Sequence, residues 1–192
     1  MKLAAIVLAA GSARRFGSDK LSASFKGEPL VHHAIRAARA APVERVFVVC
    51  PPTLATGTWE GAPPVETVHV ASDALSTSLK AGIAAAGDAD GAFIFLGDMP
   101  LIPPGLTEEL AAVLGDVFAA IARHGGRNGH PVLLSRRAFA EIAGLSGDEG
   151  AGKLLKARSD IAFVDTATDT ILLDVDRAED LNRLAQRGDR PT

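Results

Sequence analysis

Cysteine is almost absent. Cys50 is the single one in 192 residues, which excludes an internal disulfide and a thiolate-rich metal site. It closes the apolar run Val46-Phe47-Val48-Val49, where a small buried hydrophobe is expected, and this usage fits a reducing cytoplasm. No apolar stretch approaches the ~20 residues of a membrane span, so no membrane partner is expected. Positive charge is also short: a net charge of -3 argues against a nucleic-acid partner held by bulk electrostatics. Internal repeats, low-complexity tracts and long linkers are missing, so residues 1–192 are expected to form a single domain. Neither G-x-x-x-x-G-K-[ST] nor G-x-G-x-x-G occurs at the first loop, which removes the main support for a P-loop ATPase or a dinucleotide-dependent dehydrogenase.

What is present begins at the third residue. Leu3 to Leu8 is an apolar run that reads as a central strand, and it leads into Ala9-Ala10-Gly11-Ser12-Ala13-Arg14-Arg15-Phe16-Gly17-Ser18-Asp19-Lys20. Small residues let a backbone approach a polyphosphate closely, and Arg14, Arg15 and Lys20 supply charge to neutralise it. A nucleoside triphosphate is the expected ligand. Met1-Lys2 and the apolar run imitate a secretory leader, but the run is short and the cations follow at once, so a retained strand is expected. Strands at Arg45–Cys50, Val65–Val70 and Ala92–Leu96 alternate with helices at Pro29–Ala41 and Ser76–Ala86, which predicts a mostly parallel sheet covered on both faces. The second half reads as helix Pro104–Leu114, strand Val117–Ile121, a loop over Gly125–Gly129 and strand Pro131–Leu134. Helices Arg136–Ala143 and Glu149–Ala157, strands Ile161–Val164 and Thr170–Leu173, and a last helix from Arg177 complete it. Four prolines in Pro51–Pro64 predict irregular surface.

Asp98 follows the strand Ala92–Leu96 in Gly97-Asp98-Met99-Pro100, at the strand edge where open α/β sheets bind ligands. One or two carboxylates plus phosphate oxygens suffice for Mg²⁺, so Asp98 is the candidate metal anchor, although Asp-x-Pro is also a good turn former. Asp174 and Asp176 form a second acidic pair, with Asp176 and Glu179 spaced as a capping box. Ser76, Ser78 and Gly82 fall in a hydroxyl-rich helix start that suits a nucleotide, with Ser76 as a plain helix cap the alternative. Gly129-His130-Pro131 and Gly147-Asp148-Glu149-Gly150 belong to two polar, glycine-dense segments that suit a second substrate.

In this order, Leu8-Ala9-Ala10-Gly11 with Arg15, Gly17 and Lys20, then Ser76 to Gly82, Gly97-Asp98-Met99-Pro100, Gly129-His130-Pro131, Gly147-Asp148-x-Gly150-Ala151 and Asp174-x-Asp176 resemble the MobA-like nucleotidyltransferases. Within them the chain is similar to the molybdenum cofactor cytidylyltransferases over essentially its whole length. The resemblance implies a three-layer Rossmann-like α/β fold that uses Mg²⁺ to join CMP from CTP to the phosphate of molybdopterin, with release of pyrophosphate. It implies Arg15, Lys20 and Asp98 as catalytic residues. Leu8, Ala9, Ala10, Gly11, Arg14, Gly17, Ser76, Ser78 and Gly82 would bind nucleotide. Gly129, His130, Pro131, Gly147, Asp148 and Gly150 would bind the acceptor, and Asp98, Asp174 and Asp176 the metal. A transient molybdoenzyme partner and a cytoplasmic location follow from the same resemblance.

Family guanylyltransferases tend to carry Leu-Ala-Gly-Gly where this chain has Leu8-Ala9-Ala10-Gly11, and the methyl of Ala10 crowds the base slot in favour of cytosine. Arg177-Ala178 in place of Thr-Pro, and Ala13 in place of Ser, depart from the family pattern. A phosphate nucleophile is already anionic near neutral pH, so no His or Cys dyad is required. The alternatives are guanylyl transfer, another phosphorylated acceptor, an oxidoreductase of nicotine-blue type, or a non-catalytic molybdopterin-handling chaperone.

Overall fold

In the computed structural model, residues 1–11, 19–72 and 74–187 are described. Seven strands make one sheet: β1 (Leu3–Leu8), β4 (Arg45–Cys50), β5 (Val65–His69), β6 (Gly91–Leu96), β7 (Ala119–His124), β8 (Arg127–Ser135) and β9 (Ile161–Asp165). Their order across the sheet is β5-β4-β1-β6-β8-β7-β9. β8 alone runs against its neighbours, pairing antiparallel with β6 and β7, while β1, β4, β5 and β6 are mutually parallel and β9 is parallel to β7. Two short strands, β2 (Ser24–Phe25) and β3 (Glu28–Pro29), form a separate small hairpin.

The six residues of β1 are all buried, as a strand covered on both faces demands. Leu3, Ala5 and Val7 join one core, with α1 (Leu30–Ala40) and α3 (Leu106–Leu114). Ala4, Ile6 and Leu8 join the other, with α2 (Leu75–Ala86) and α4 (Arg136–Ile142). The period-two alternation of one strand therefore separates two helical layers. α5 (Ala151–Lys156) lies on the α2 side, and Leu184 of α6 (Ala178–Arg187) lies on the α1 side. The result is the three-layer, mostly parallel α/β sandwich that the alternating pattern predicts.

Four details differ from the sequence reading. Gly125 and Gly126 alone make the turn between β7 and β8, with φ of +55° and +77°, so residues 128–130 lie in a strand rather than in a loop. Positive φ at both central residues is what a tight two-residue hairpin requires, and glycine meets it without steric cost. The expected strand Thr170–Leu173 is a single 3-10 turn, Asp169–Leu172. Asp176 and Glu179 do not form a capping box. Asp180 takes that task instead, its carboxylate accepting from the backbone N–H groups of Asp176 at 3.0 Å and Arg177 at 2.8 Å.

Gly82 is the fourth correction. It lies on the sheet-facing side of α2, where an added Cβ would come within 2.5 Å of Ile6 Cγ2 and 3.2 Å of Val49 Cγ2, so it sets the helix-to-sheet distance. Gly82→Val should therefore lower stability by about 1–3 kcal/mol through overpacking. Gly152→Ala in α5, where an added Cβ meets nothing within 4 Å, should be neutral or gain up to about 1 kcal/mol. Urea denaturation midpoints of the two variants check the contrast.

Candidate active site

The sheet order reverses beside β1: the chain crosses to β4 on one side and, through α2, reaches β6 on the other. The crevice at the carboxyl ends of β1 and β6 is thus the expected ligand site of the sheet. Two backbone bonds draw its lips together. The Ala9 N–H donates to the Val49 carbonyl at 2.8 Å, and the Gly97 N–H to the Leu8 carbonyl at 2.9 Å. A Cβ at Gly97 would come 3.2 Å from the Leu8 oxygen, so this approach depends on the missing side chain.

Arg14, Arg15 and Gly17 lie outside the described residues, as does Asp73. The chain resumes at Asp19, and Lys20 opens a 3-10 turn, Lys20–Ser22, pinned by the buried Leu21. The Lys20 ammonium sits 2.7 Å from Asp98 Oδ2, and the two side chains are only 13% and 22% exposed. Asp98 reaches this place because its strand ends at Leu96 in a tight turn, with the Met99 N–H donating to the Leu96 carbonyl at 3.2 Å.

The Asp98 carbonyl in turn accepts from the Val175 N–H at 3.0 Å, which draws the segment after the 3-10 turn into the site. Asp176 Oδ1 is then 4.0 Å from Lys20 Nζ, although Asp176 itself is half exposed. Asp174 is pushed above the usual carboxylate range, first by burial and then by the neighbouring Asp176 and Asp98 carboxylates, against the lowering effects of its backbone hydrogen bond and Lys20. Asp98 and Asp176 thus flank the Lys20 ammonium, with the Asp174 carboxylate near enough to feel all three charges. Among the described residues no three His, Cys, Asp or Glu side chains converge as a ready-made metal cage. Mg²⁺ does not need one: it is held by one or two carboxylates plus phosphate oxygens and waters, and a hard-oxygen cluster with excess negative charge fits that requirement.

A cavity of about 270 Å³ opens here, lined by Leu8, Ala9, Ala10, Gly11, Lys20 and Asp98, with Ser78 from the first turn of α2. These predicted residues are brought together. Ser76 is buried in the same turn but does not line the cavity. Its N–H donates to the Gly147 carbonyl at 3.1 Å, and the N-cap of α2 is Ala74. Gly147, at φ +54°, is therefore a clamp on α2. A second cavity of about 300 Å³ lies alongside, lined in part by Gly129, His130 and Gly150. Pro131 and Asp148 do not line it: Pro131 is buried next to His130, and Asp148 points into solvent. Leu8, Leu75 and Leu96 line both cavities and form their shared wall. Leu75 and Leu96 escaped the sequence reading because apolar residues at a helix start and a strand end look like ordinary core.

The elevated Asp174 pKa has a testable sign. An unfolded aspartate titrates near about 3.9. The native state holds its proton to higher pH, so stability falls as pH rises from that value through the folded pKa. Asp174→Asn, in metal-free protein, should match the parent near about pH 3 and exceed it near neutral pH. Denaturation midpoints across a pH series check this.

Residues 5–166 match the MobA-like NTP transferase domain. The purine catabolism protein PucB of Bacillus subtilis is 33% identical over 167 residues, covering 81% of each chain. A probable molybdenum cofactor guanylyltransferase of Pyrococcus furiosus is 34% identical over 107 residues, covering 55% of this chain and 52% of that protein. Among solved structures, the Rv0371c homologue from Mycobacterium sp. strain JC1 superposes with a TM-score of 0.83 at 27% identity, covering 96% of both chains. Rv0371c of Mycobacterium tuberculosis has also been solved in complex with manganese, and that structure superposes with a TM-score of 0.77 at 24% identity over 96% of this chain and 98% of that one. With its sheet, its crevice and this match over most of its length, the chain belongs to the MobA-like NTP transferase family and is a nucleotidyltransferase.

Proposed function

We propose that the protein transfers CMP from CTP to the phosphate of a molybdopterin-type acceptor and releases pyrophosphate. The observation that carries this reading is the Lys20–Asp98 pair at the β1–β6 crevice, beside a wall made by Ala9, Ala10 and Gly11. Small wall residues admit the nucleotide backbone, and Lys20 carries its charge on an unbranched stem with three donors, which can turn from a carboxylate to a phosphate. Arg15, by the sequence pattern, joins Lys20 on the β and γ phosphates. We assign Mg²⁺ to Asp98, with Asp174 or Asp176 beside it; the manganese of the Rv0371c complex is in keeping with a divalent ion. When bound there, the ion supplies neutralisation of phosphate charge.

In this reaction an acceptor phosphate oxygen attacks the α-phosphorus of CTP in line. The bond from that phosphorus to the bridging oxygen of the β-phosphate breaks, and pyrophosphate leaves with the electron pair. Lys20 and Arg15 hold the charge that builds on the leaving group. The acceptor phosphate is anionic at neutral pH, and no side chain need take its proton. Ala10 is buried in the cavity wall, where its methyl narrows the space next to the base and supports cytosine over guanine. Guanylyl transfer is the second reading, favoured by the name of the Pyrococcus relative.

Incubation with Mg²⁺, each NTP and molybdopterin, with pyrophosphate as readout, should give release with CTP and little with GTP. A preference for GTP would overturn the cytidylyl assignment. Asp98→Ala should lose about 10² or more in turnover without loss of fold. Lys20→Met should weaken CTP binding by about tenfold or more while leaving CMP binding nearly unchanged. The same change frees Asp98 from its partner and should tighten Mn²⁺ binding to the nucleotide-free protein, measured by electron paramagnetic resonance.

A further inference from the structure

Helix α2 starts without a side-chain cap. Its N-cap residue is Ala74, whose carbonyl takes the N–H groups of Thr77 at 3.1 Å and Ser78 at 3.2 Å, and the Ser76 N–H is left to the Gly147 carbonyl. The first N–H groups of a helix have no partner within it, so this one is satisfied from a remote turn. That turn is Ser146-Gly147-Asp148-Glu149, which has the S-x-x-E spacing of a capping box, yet α5 begins only at Ala151. The box closes the turn instead of a helix. The Glu149 N–H donates to the Ser146 carbonyl at 3.1 Å, and Glu149 Oε2 accepts from the Ser146 N–H at 3.0 Å and from its hydroxyl at 3.3 Å. The other oxygen, Oε1, accepts from Lys153 Nζ on α5. Lys153 first and the Ser146 N–H next hold the Glu149 carboxyl below the usual range, against the raising effect of desolvation, so it is ionised at neutral pH. Leu145, buried on the α2 side of the sheet, anchors the turn from behind.

The closed turn meets α2 at two successive residues. Gly147 reaches Ser76 through its carbonyl, and Gly150 lies so near that an added Cβ would come 2.7 Å from Leu75 Cδ2. Leu75, with Ser78 from the same first turn of the helix, lines the first cavity. Glu149 itself lines neither cavity. Whatever it does for a ligand, it does through the turn and the helix start.

An exposed Glu–Lys pair four positions apart contributes little by itself. The bonds to Ser146 are of another kind, because they fix the backbone that aims the Gly147 carbonyl. We propose that Glu149 is a positioning residue for the nucleotide: it locks the Ser146–Glu149 turn and, through the Gly147 carbonyl and Gly150, holds Leu75 and Ser78 of α2 in the wall of the first cavity. The proposal rests on the nucleotidyl-transfer reading, which gives that cavity to the nucleotide. A segment whose glycines suggest contact with the acceptor acts in this way on the other substrate.

The test titrates the full chain with CTP and with GTP in the presence of Mg²⁺ by calorimetry, and follows turnover with whichever binds better. Glu149→Ala should weaken binding of that nucleotide by about tenfold. In turnover the loss should appear as a higher KM for the nucleotide, with kcat within about twofold of the parent. Glu149→Gln should recover most of the affinity, because its amide oxygen still accepts from the Ser146 N–H. Lys153→Ala, which removes the ion pair and leaves the turn closed, should bind nucleotide as the parent does. Urea midpoints should agree between Glu149→Ala and Glu149→Gln. Parental affinity in Glu149→Ala, or a loss as large in Glu149→Gln or Lys153→Ala, overturns the proposal and leaves the nucleotidyl reading standing. A Glu149→Ala midpoint low enough to leave part of the chain unfolded in the assay overturns it in favour of a purely structural role. A parent that binds neither CTP nor GTP overturns both.

Discussion

The contact between Lys20 and Asp98 ties together the 3-10 turn Lys20–Ser22, the turn after β6 and, through the Asp98 carbonyl, the segment carrying Asp174 and Asp176. A largely covered ion pair of this kind is a poor way to gain stability, since desolvation takes back much of the Coulomb attraction. Its value lies in position. It holds a carboxylate and a cation together at the edge of the sheet where the order of strands reverses, beside the carboxylates of Asp174 and Asp176. Such a cluster is stable enough to be preorganised and charged enough to favour a partner of the opposite sign.

The rest of the sheet holds that geometry by close approach. Gly82 against Ile6 and Gly129 against Ile171 are two places where absent side chains let backbone or helix come nearer than any other residue would allow, and Gly97 against Leu8 is a third, tight approach. Each one fixes a different boundary: the lip of the first cavity, the depth of α2, and the wall of the second cavity at Gly129. The reversed direction of β8 belongs to the same scheme. An antiparallel strand can be joined to β7 by two glycines, so His130 arrives at the edge of the sheet without a crossover helix.

Strand β1, Asp98 and Lys20 were legible in the sequence because each is marked locally, by a run of buried residues, by a strand that stops, or by a cation next to small residues. The fold class was legible for the same reason, through alternation of apolar strands and helices. Local marks mislead where two explanations share one pattern. Gly82 sits in a hydroxyl-rich helix start yet serves packing, and the spacing of Asp176 and Glu179 suits a cap that Asp180 supplies. Asp148 reads as a ligand contact from its glycine neighbours, and in the structure it is exposed and does not line the second cavity. The part that Leu75 and Leu96 play beside Leu8 could not be read, since the three come from separate elements and meet only when the sheet and α2 have formed.

That distance along the chain has a kinetic and thermodynamic meaning. Lys20 and Asp98 are 78 positions apart, and Asp176 lies as far again toward the carboxyl end, so the cluster exists only after the long-range pairings of β1 with β6 are made. Contacts of this span form late in folding, because loop closure must come first. A ligand that needs all of them has nothing to hold in a half-folded chain, and its binding energy is added almost wholly to the native state. The substrate nucleotide is then also a folding ligand, and the rise in melting temperature it produces reports the integrity of the whole sheet.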